Sequence, residues 1–314
     1  MVLSVTLNPC VDVTLGIDGL KPHDTNRVLT TEMDAGGKGV NLSRVAVELG
    51  TASTATGFLG GATGAKVRYV LDAQGVVSDF VCTATDTRVN YSVESGDGPP
   101  TTFNARGGAV TPDEWALLVA TVRRLSREAK WVCFGGSSPP GVPDDAIVQL
   151  AAIARENGAK VLVDADGEAM RQAMEFAPDF IKPNAKEAER LVGEPVETQE
   201  QAVAVARRLV RQLADSGSPE AIVIISRGGD GAVLAFQDKA WVSTGVKVQV
   251  KSTIGSGDSM LGGFLTGLCT GKNLVASFRL ALAAGAATAM SDSTEIARRP
   301  VVEGLLPQVP VQEV

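Results

Sequence analysis

Apolar and polar positions recur along this chain with two periods, close to two and close to 3.6 residues, and they change over at turn-forming residues. Val2 to Leu7 is a short β-rich run ending at Asn8-Pro9, where proline stops a ladder. It predicts an inner strand of a main sheet. From Trp115 the two periods interleave: helix to Glu128, strand Trp131 to Phe134, helix to Asn157, strand Lys160 to Val163, then a short strand at Phe180-Ile181. Such alternation predicts βαβ units on a parallel sheet. Ala221 to Ile225 and Ala232 to Phe236 flank Ser226-Arg227-Gly228-Gly229-Asp230-Gly231 and read as a glycine-rich hairpin at the sheet edge. The last dozen or so residues, with Pro307 and Pro310, read as a tail.

The first third of the chain has a different texture. Between Cys10 and Met33 the alternating stretches Val11 to Leu15 and Arg27 to Thr30 predict a small antiparallel layer apart from the main sheet. Thr87 to Phe103, with its Gly-Asp-Gly-Pro-Pro turn, predicts a hairpin. It joins the same layer, because neither piece has enough apolar residues for a strand buried on both faces. Asp34 to Asn41 opens a helix with Val40, Ala46, Val47 and Leu49 on its buried side. Thr54 to Leu59 is a further strand and Lys66 to Gln74 a further helix. Gly262, Gly263 and Gly267 share one helix near the C-terminus, where they lower propensity and point to close helix packing.

Composition narrows the function. A chain of 314 residues can bury a large core, and this one predicts one large domain with a smaller appendage. A net charge of -7 with 4% aromatic residues argues against nucleic acid and anionic membrane surfaces, leaving small molecules as partners. Cys10, Cys82, Cys133 and Cys269 have no paired spacing, so they read as small apolar residues in a reducing compartment. The N-terminus runs straight into a strand pattern and Leu280 to Met290 is too short to span a bilayer, so a cytoplasmic protein is expected. His23 is the only histidine, which argues against Ser-His-Asp hydrolysis and multi-histidine metal sites.

The chemistry concentrates at Ser252-Thr253-Ile254-Gly255-Ser256-Gly257-Asp258-Ser259-Met260, just ahead of an apolar helical run. Small residues there form a turn whose amides converge at a helix N-terminus, a place for an anion. An acid in such a place repels what the site holds unless it takes part in the reaction. Asp258 then accepts a proton from a hydroxyl while the amides stabilise a phosphoryl group in transfer. A plain helix cap is the alternative reading of Asp258. Gly36 and Gly37 allow close approach to backbone, with Lys38 and Asn41 facing the same mouth. Asp12 is a strand acid, either solvent-facing or part of that mouth. The loops at Ser137, at Asp164-Ala165-Asp166 and at Lys182-Pro183-Asn184-Ala185-Lys186-Glu187 all lie beyond carboxyl ends of parallel strands, where ligands bind. Gly267 to Asn273 imitates a P-loop with the wrong glycine spacing and Asn for Ser or Thr, and Gly255-x-Gly257 lacks the third glycine of a dinucleotide fingerprint.

Taken in order, these motifs resemble the ribokinase-like sugar kinases, the PfkB family, over nearly the whole chain. Asp34 to Asn41 followed by Arg44, Lys182-Pro183-Asn184-x-x-Glu187, Ser226-x-Gly228-x-x-Gly231 and Ser252 to Ser259 carry the resemblance. Thr6-Leu7-Asn8-Pro9-x-x-Asp12 and Gly136-Ser137-x-Pro139-Pro140-Gly141-Val142 resemble the branch that acts on hexose phosphates. The resemblance implies a three-layer α/β/α core with a mostly parallel sheet, formed by residues 1–8, 35–85 and 105–314. It also implies a β-sheet lid of residues 9–34 and 86–104 over the sugar site, and homodimers formed lid to lid. Asp258 would be the general base and Gly255, Ser256 and Gly257 the anion hole. Asp12 and Asn41 would hold sugar hydroxyls, with Gly36 and Gly37 beside the sugar. Lys38 and Arg88 would meet the phosphate already on the substrate, with Asn90 and Ser137 nearby. Lys182, Asn184, Ser226, Gly228 and Gly231 would face ATP, and Glu187 would hold Mg2+ through water. The implied reaction is phosphorylation of fructose 1-phosphate by ATP, with tagatose 6-phosphate or fructose 6-phosphate as alternatives. Lys38 stands where the minor 6-phosphofructokinases have glycine. More remote alternatives are a kinase of unphosphorylated sugars or nucleosides and a non-catalytic sugar-phosphate sensor. A monovalent-cation site would involve Ser291 to Thr294.

Overall fold

The computed structural model describes residues 1–96, 98, 100–292 and 295–314. Asp97 and Pro99 of the expected turn, and Ser293 and Thr294 of the segment weighed for a monovalent cation, lie outside the described residues.

The main sheet is laid down around Val2–Thr6, which pairs in parallel with Ser53–Leu59 on one side and Trp131–Gly135 on the other. Lys160–Asp164, Phe180–Ile181 and Ile222–Ser226 continue the parallel series. Burial on both faces explains the near-continuous apolar runs of these strands. Alternate residues go to opposite sides. Val2, Cys133, Leu162, Phe180 and Ile224 join one core with helices Lys38–Glu48, Ser256–Cys269 and Leu274–Met290. Leu3, Val5, Val132, Phe134, Val161 and Val163 join the other, under helices Pro112–Leu125 and Ala146–Glu156. This is a ribokinase-like α/β fold of three layers, with ten α-helices among the described residues. No helix among the described residues is long and apolar enough to cross a membrane.

The helix glycines act as expected. A Cβ on Gly263 would stand 2.8 Å from the carbonyl oxygen of Leu280, and one on Gly267 would stand 2.4 Å from Ser277 Oγ. Bare backbone lets Ser256–Cys269 and Leu274–Met290 touch along their length.

Several expectations need correction. The hairpin around Gly228 is not at the sheet edge: Lys239–Ser243 pairs antiparallel beyond Ala232–Phe236. The expected tail ends in Gln312–Glu313, which pairs with Val242 and Trp241 as the outermost strand. Asp34 to Gly36 belongs to strand Val28–Gly36, and the helix begins at Lys38. That helix buries Leu42 and Val45 along with Val40 and Ala46, while Val47 and Leu49 are only half-buried.

The second sheet has the order Val28–Gly36, Cys10–Ile17, Arg88–Glu94, Thr101–Phe103. Its outer pairs are antiparallel as expected, but the central pair is parallel. The chain leaves this sheet at Gly36, builds helices Lys38–Glu48 and Gly61–Ala73 around main-sheet strand Ser53–Leu59 and two short strands after them, and re-enters from the end at which Cys10 started. Arg88 therefore lies opposite Cys10, and Asn90 opposite Asp12.

Candidate active site

A cavity of about 520 Å³ lies between the four-stranded sheet and the carboxyl ends of the main-sheet strands. Asp12, Gly37, Lys38, Asn41, Arg88, Asn90, Ser137, Gly255 and Asp258 all line it, bringing together residues from the two sheets and two helices. A second cleft of about 1240 Å³ adjoins it, shares Lys38 and Ser137 with it, and extends to Glu187.

Asp258 sits in the first turn of helix Ser256–Cys269, and it does not cap it. The N-cap is Gly255, at φ 73° in the left-handed region that glycine alone adopts freely, and no side chain caps the helix. The Asp258 carboxylate instead accepts a hydrogen bond from Asn41 Nδ2 at 2.9 Å. Burial and then the charge of Asp164 raise its pKa from 3.8 to about 6, against the opposing pull of the Asn41 hydrogen bond, Lys38 and Lys182. A carboxylate so placed is a better base than one in water. The Ser256 amide is spent on the carbonyl of Thr253 at 3.3 Å, so the first-turn donors left for an anion are those of Gly257 and Asp258. Ser256 Oγ is buried with no hydrogen-bond partner, and Ser256 lines neither cavity.

Asp164, at the end of its buried strand, pairs with Lys38 at 3.3 Å and with Lys182 at 3.6 Å. Burial works against the Lys38 ammonium, but Asp164, Asp258 and Glu187 outweigh it and hold its pKa above the ordinary value. Lys182 reaches the helix N-terminus, where a Cβ on Gly257 would stand 3.3 Å from its Nζ.

On the lid side, Asp12 Oδ1 accepts from Asn90 Nδ2 at 2.9 Å and from Cys10 Sγ at 3.1 Å. Cys10 is thus more than the small apolar residue expected. A Cβ on Gly36 would lie 2.0 Å from Asp12 Oδ2 and 2.8 Å from Cys10 Sγ, so any other residue there would displace the Asp12 carboxylate. Arg88 donates through Nε to the carbonyl of Asn8 and through Nη1 to that of Ala105, and Asn8 Nδ2 bonds Ser137 Oγ at 3.1 Å.

The residues expected on the ATP side are less gathered. Asn184 and Glu187 form a reciprocal capping box on helix Ala185–Val192, in which each side chain accepts from the other's backbone amide. Glu187 Oε2 is committed to that cap while the residue lines the second cleft. Asn184 and Ser226 meet as an isolated bridge at adjacent strand ends. Gly231 is required by packing, since a Cβ would stand 1.9 Å from the carbonyl oxygen of Ser243, whereas a Cβ on Gly228 would meet open space. Ser226, Gly228 and Gly231 line neither of the two cavities. Among the described residues no three acidic, cysteine or histidine side chains converge as a metal cage. A magnesium ion, which keeps several waters and needs one or two carboxylates plus phosphate oxygens, fits Glu187 in the cleft.

Three site residues had no role assigned from the sequence. Asp164 was readable as the first polar residue after a buried strand at the ligand-binding edge. Asn8 stood in the Thr6-Leu7-Asn8-Pro9 motif without a role of its own, and Asn104 carried no comparable signal, because its place in the cavity depends on long-range packing.

A basic residue pair beside a buried carboxylate and free helix-terminal amides, on a ribokinase-like fold, defines a kinase acting on an alcohol. The comparisons agree. The model of the pfkB family carbohydrate kinases matches residues 1–299. The 1-phosphofructokinase of Bacillus subtilis is 32% identical over 99% of both chains, and that of Borreliella burgdorferi 33% identical over 100% of this chain and 99% of its own. Phosphofructokinase-2 from Escherichia coli, in complex with substrates and products, superposes with a TM-score of 0.91 at 27% identity over 98% of each chain. Structures of that protein include a complex with potassium and a tetrameric inhibited form. The chain belongs to the pfkB family of carbohydrate kinases, and within it is a sugar-phosphate kinase of the 1-phosphofructokinase type.

Proposed function

We propose that this protein transfers the γ-phosphoryl group of ATP to the free primary hydroxyl of fructose 1-phosphate, giving fructose 1,6-bisphosphate and ADP. The observation that carries the reading is Asp258, a buried carboxylate with a raised pKa beside uncommitted helix-terminal amides, at the wall of a cavity that also holds Arg88 and Lys38.

In this mechanism the hydroxyl gives its proton to Asp258 as its oxygen bonds to the γ-phosphorus, and the bond from phosphorus to the departing ADP oxygen breaks. The amides of Gly257 and Asp258 receive the charge on the transferred group. Asp12, oriented by Asn90 and Cys10, holds a sugar hydroxyl with Oδ2, and Gly36 and Gly37 leave room beside it. Asn41 stands between the sugar and the base. Arg88 keeps its guanidinium at the cavity wall for the phosphate already on the substrate, with Asn90 and Ser137 beside it. Lys38 lies where the two cavities meet, within reach of both phosphates. Lys182, Asn184, Ser226, Gly228 and Gly231 form the ATP side, and Glu187 would hold Mg2+ through water. When bound, that ion neutralises phosphate charge and aligns the transferred group. A monovalent cation near Ser291 is part of the same reading, supported by the potassium complex of the E. coli relative.

The core and lid are divided near the boundaries given by the sequence, with Ala35 and Gly36 moved to the lid because strand Val28–Gly36 runs through them, and the lid joins a second copy of the chain. The exposed side chains of Leu29, Met33, Tyr91 and Phe103 on the four-stranded sheet support that contact. Sedimentation of the purified protein checks it, since a monomer at micromolar concentration would refute it.

The central test is ADP release with fructose 1-phosphate, fructose 6-phosphate, tagatose 6-phosphate, ribose and adenosine. A kcat/KM for fructose 1-phosphate well above the other four supports the reading. Preference for ribose or adenosine would replace it, and silence with every acceptor would favour a sensor.

A further inference from the structure

Arg44 lies one helical turn beyond Asn41 on helix Lys38–Glu48, and its guanidinium is 2% exposed. Its donors are committed in four directions: Nε to Gln74 Oε1 at 2.8 Å, Nη1 to the Ala35 carbonyl at 2.9 Å and to Asn41 Oδ1 at 3.3 Å, and Nη2 to Asp34 Oδ1 at 3.1 Å. Asn41 in turn donates through Nδ2 to Asp258 Oδ2. The three residues form a line along one face of the helix to the carboxylate.

A primary amide can present either its oxygen or its nitrogen, and the two differ little in shape. Arginine is a donor at every nitrogen and can never accept. The contact with Nη1 therefore fixes the Asn41 oxygen toward Arg44, and so fixes the Asn41 nitrogen toward Asp258. Reversed, the amide would set its oxygen against the carboxylate, which disfavours the charged form.

We infer that Arg44 is a positioning residue, which locks the Asn41 amide in the orientation that donates to Asp258 and so keeps the buried carboxylate ready to take a proton. The inference rests on the reading of Asp258 as the base. It gives Asn41 a task besides the sugar, since both ends of its amide already have protein partners. The other charged or titratable groups around Asp258 are Lys38 on the same helix, Asp164 at its strand end, Lys182 beyond Phe180–Ile181, and Cys10 from the four-stranded sheet. None of them touches Arg44 among the bonds described above, so changing Arg44 leaves their arrangement in place.

The test compares the unaltered protein with Arg44→Lys, Asn41→Ala and the double variant. Lysine keeps a positive charge beside Asp34 but lacks the branched donors that reach both Asp34 and Asn41. Two readouts are used: the pH profile of kcat at saturating substrates, and carbon-13 NMR of aspartate carboxyl carbons without substrate, with the Asp258 signal assigned through Asp258→Asn. Each single variant should lift the Asp258 midpoint by about half a pH unit or more, a further loss of roughly threefold in kcat on the acid limb. The double variant should move it no further than Asn41→Ala alone.

A purely structural role for Arg44 would lower the melting temperature and leave the midpoint unmoved, and that result overturns the inference. So does an additive shift in the double variant, or an Asn41→Ala midpoint equal to that of the unaltered protein. If Arg44→Lys does not fold, Arg44→Gln combined with Asp34→Asn removes the ion pair as a unit and is held to the same criterion. Absence of ADP release from the unaltered protein would sink the kinase mechanism, while the NMR titration would still judge the relay.

Discussion

Asp258→Asn tests the site through two properties that ordinarily move together. The carboxylate is taken out of water, and its pKa is lifted from 3.8 to about 6, first by burial and then by Asp164. Between those two values the folded protein holds a proton that the unfolded chain has released. Stability therefore falls as pH rises through this window, and the penalty is complete above it. The difference corresponds to about 3 kcal/mol. Asparagine keeps the shape and accepts from Asn41 through its oxygen, but carries no charge to desolvate.

The variant should therefore be more stable than the unaltered protein at pH 8, by up to about 3 kcal/mol or roughly 5 °C in melting temperature. At pH 4 that advantage should nearly vanish. Its kcat with fructose 1-phosphate should fall by about 10² to 10⁴. In the unaltered protein the base is about nine-tenths ionised at pH 7 and about one-tenth at pH 5, so kcat should drop about eightfold to tenfold between them. Thermal melts across pH and coupled ADP assays supply both measurements. Undiminished turnover in Asp258→Asn, or a stability difference that does not change with pH, would refute the reasoning.

Gly36→Ala places a methyl group against Asp12 Oδ2, and should raise KM for the phosphosugar at least tenfold while KM for ATP changes less than twofold. Arg88→Met should raise KM for the phosphosugar far more than for ATP, as read from initial rates, and equal losses for both would point to a folding defect. Glu187→Gln retains an oxygen for the capping box but removes the charge, so the apparent magnesium requirement should rise with little change in melting temperature. Asn184→Ala should instead destabilise the protein by about 1 kcal/mol through loss of the cap.

What the sequence disclosed follows from the range of the interactions involved. Val2 to Leu7, Trp131 to Phe134 and Phe180-Ile181 were legible because strands buried on both faces are written as local apolar runs. The strand Gln312–Glu313 was not, since two polar residues gain their conformation only by pairing with Trp241 and Val242. The parallel neighbour of Cys10–Ile17 was also hidden, because it depends on where the chain travels between Gly36 and Arg88. At the site, Asp258 and the Gly36-Gly37-Lys38 loop were visible as unusual residue types at helix starts. Asp164 acquires its meaning from Lys38 and Lys182, which are remote in sequence. Asn184-x-x-Glu187 carries two messages, and the helix cap is the one that the structure expresses directly.

The two acids and two lysines at the strand ends explain each other. In the proposed mechanism Lys38 and Lys182 meet the incoming phosphates, yet both act to lower the pKa of Asp258 and weaken it as a base. Asp164 stands against both ammonium groups and counters this, because its own charge raises the Asp258 pKa and offsets theirs. The cluster is thus near neutral as a whole, which limits the cost of burying it, while the base keeps a pKa about two above that of a solvated aspartate. On the proposed mechanism, a phosphate entering on the side of the lysines would compete with Asp164 for both ammonium groups, so that their charge would turn toward the phosphoryl group as it arrives.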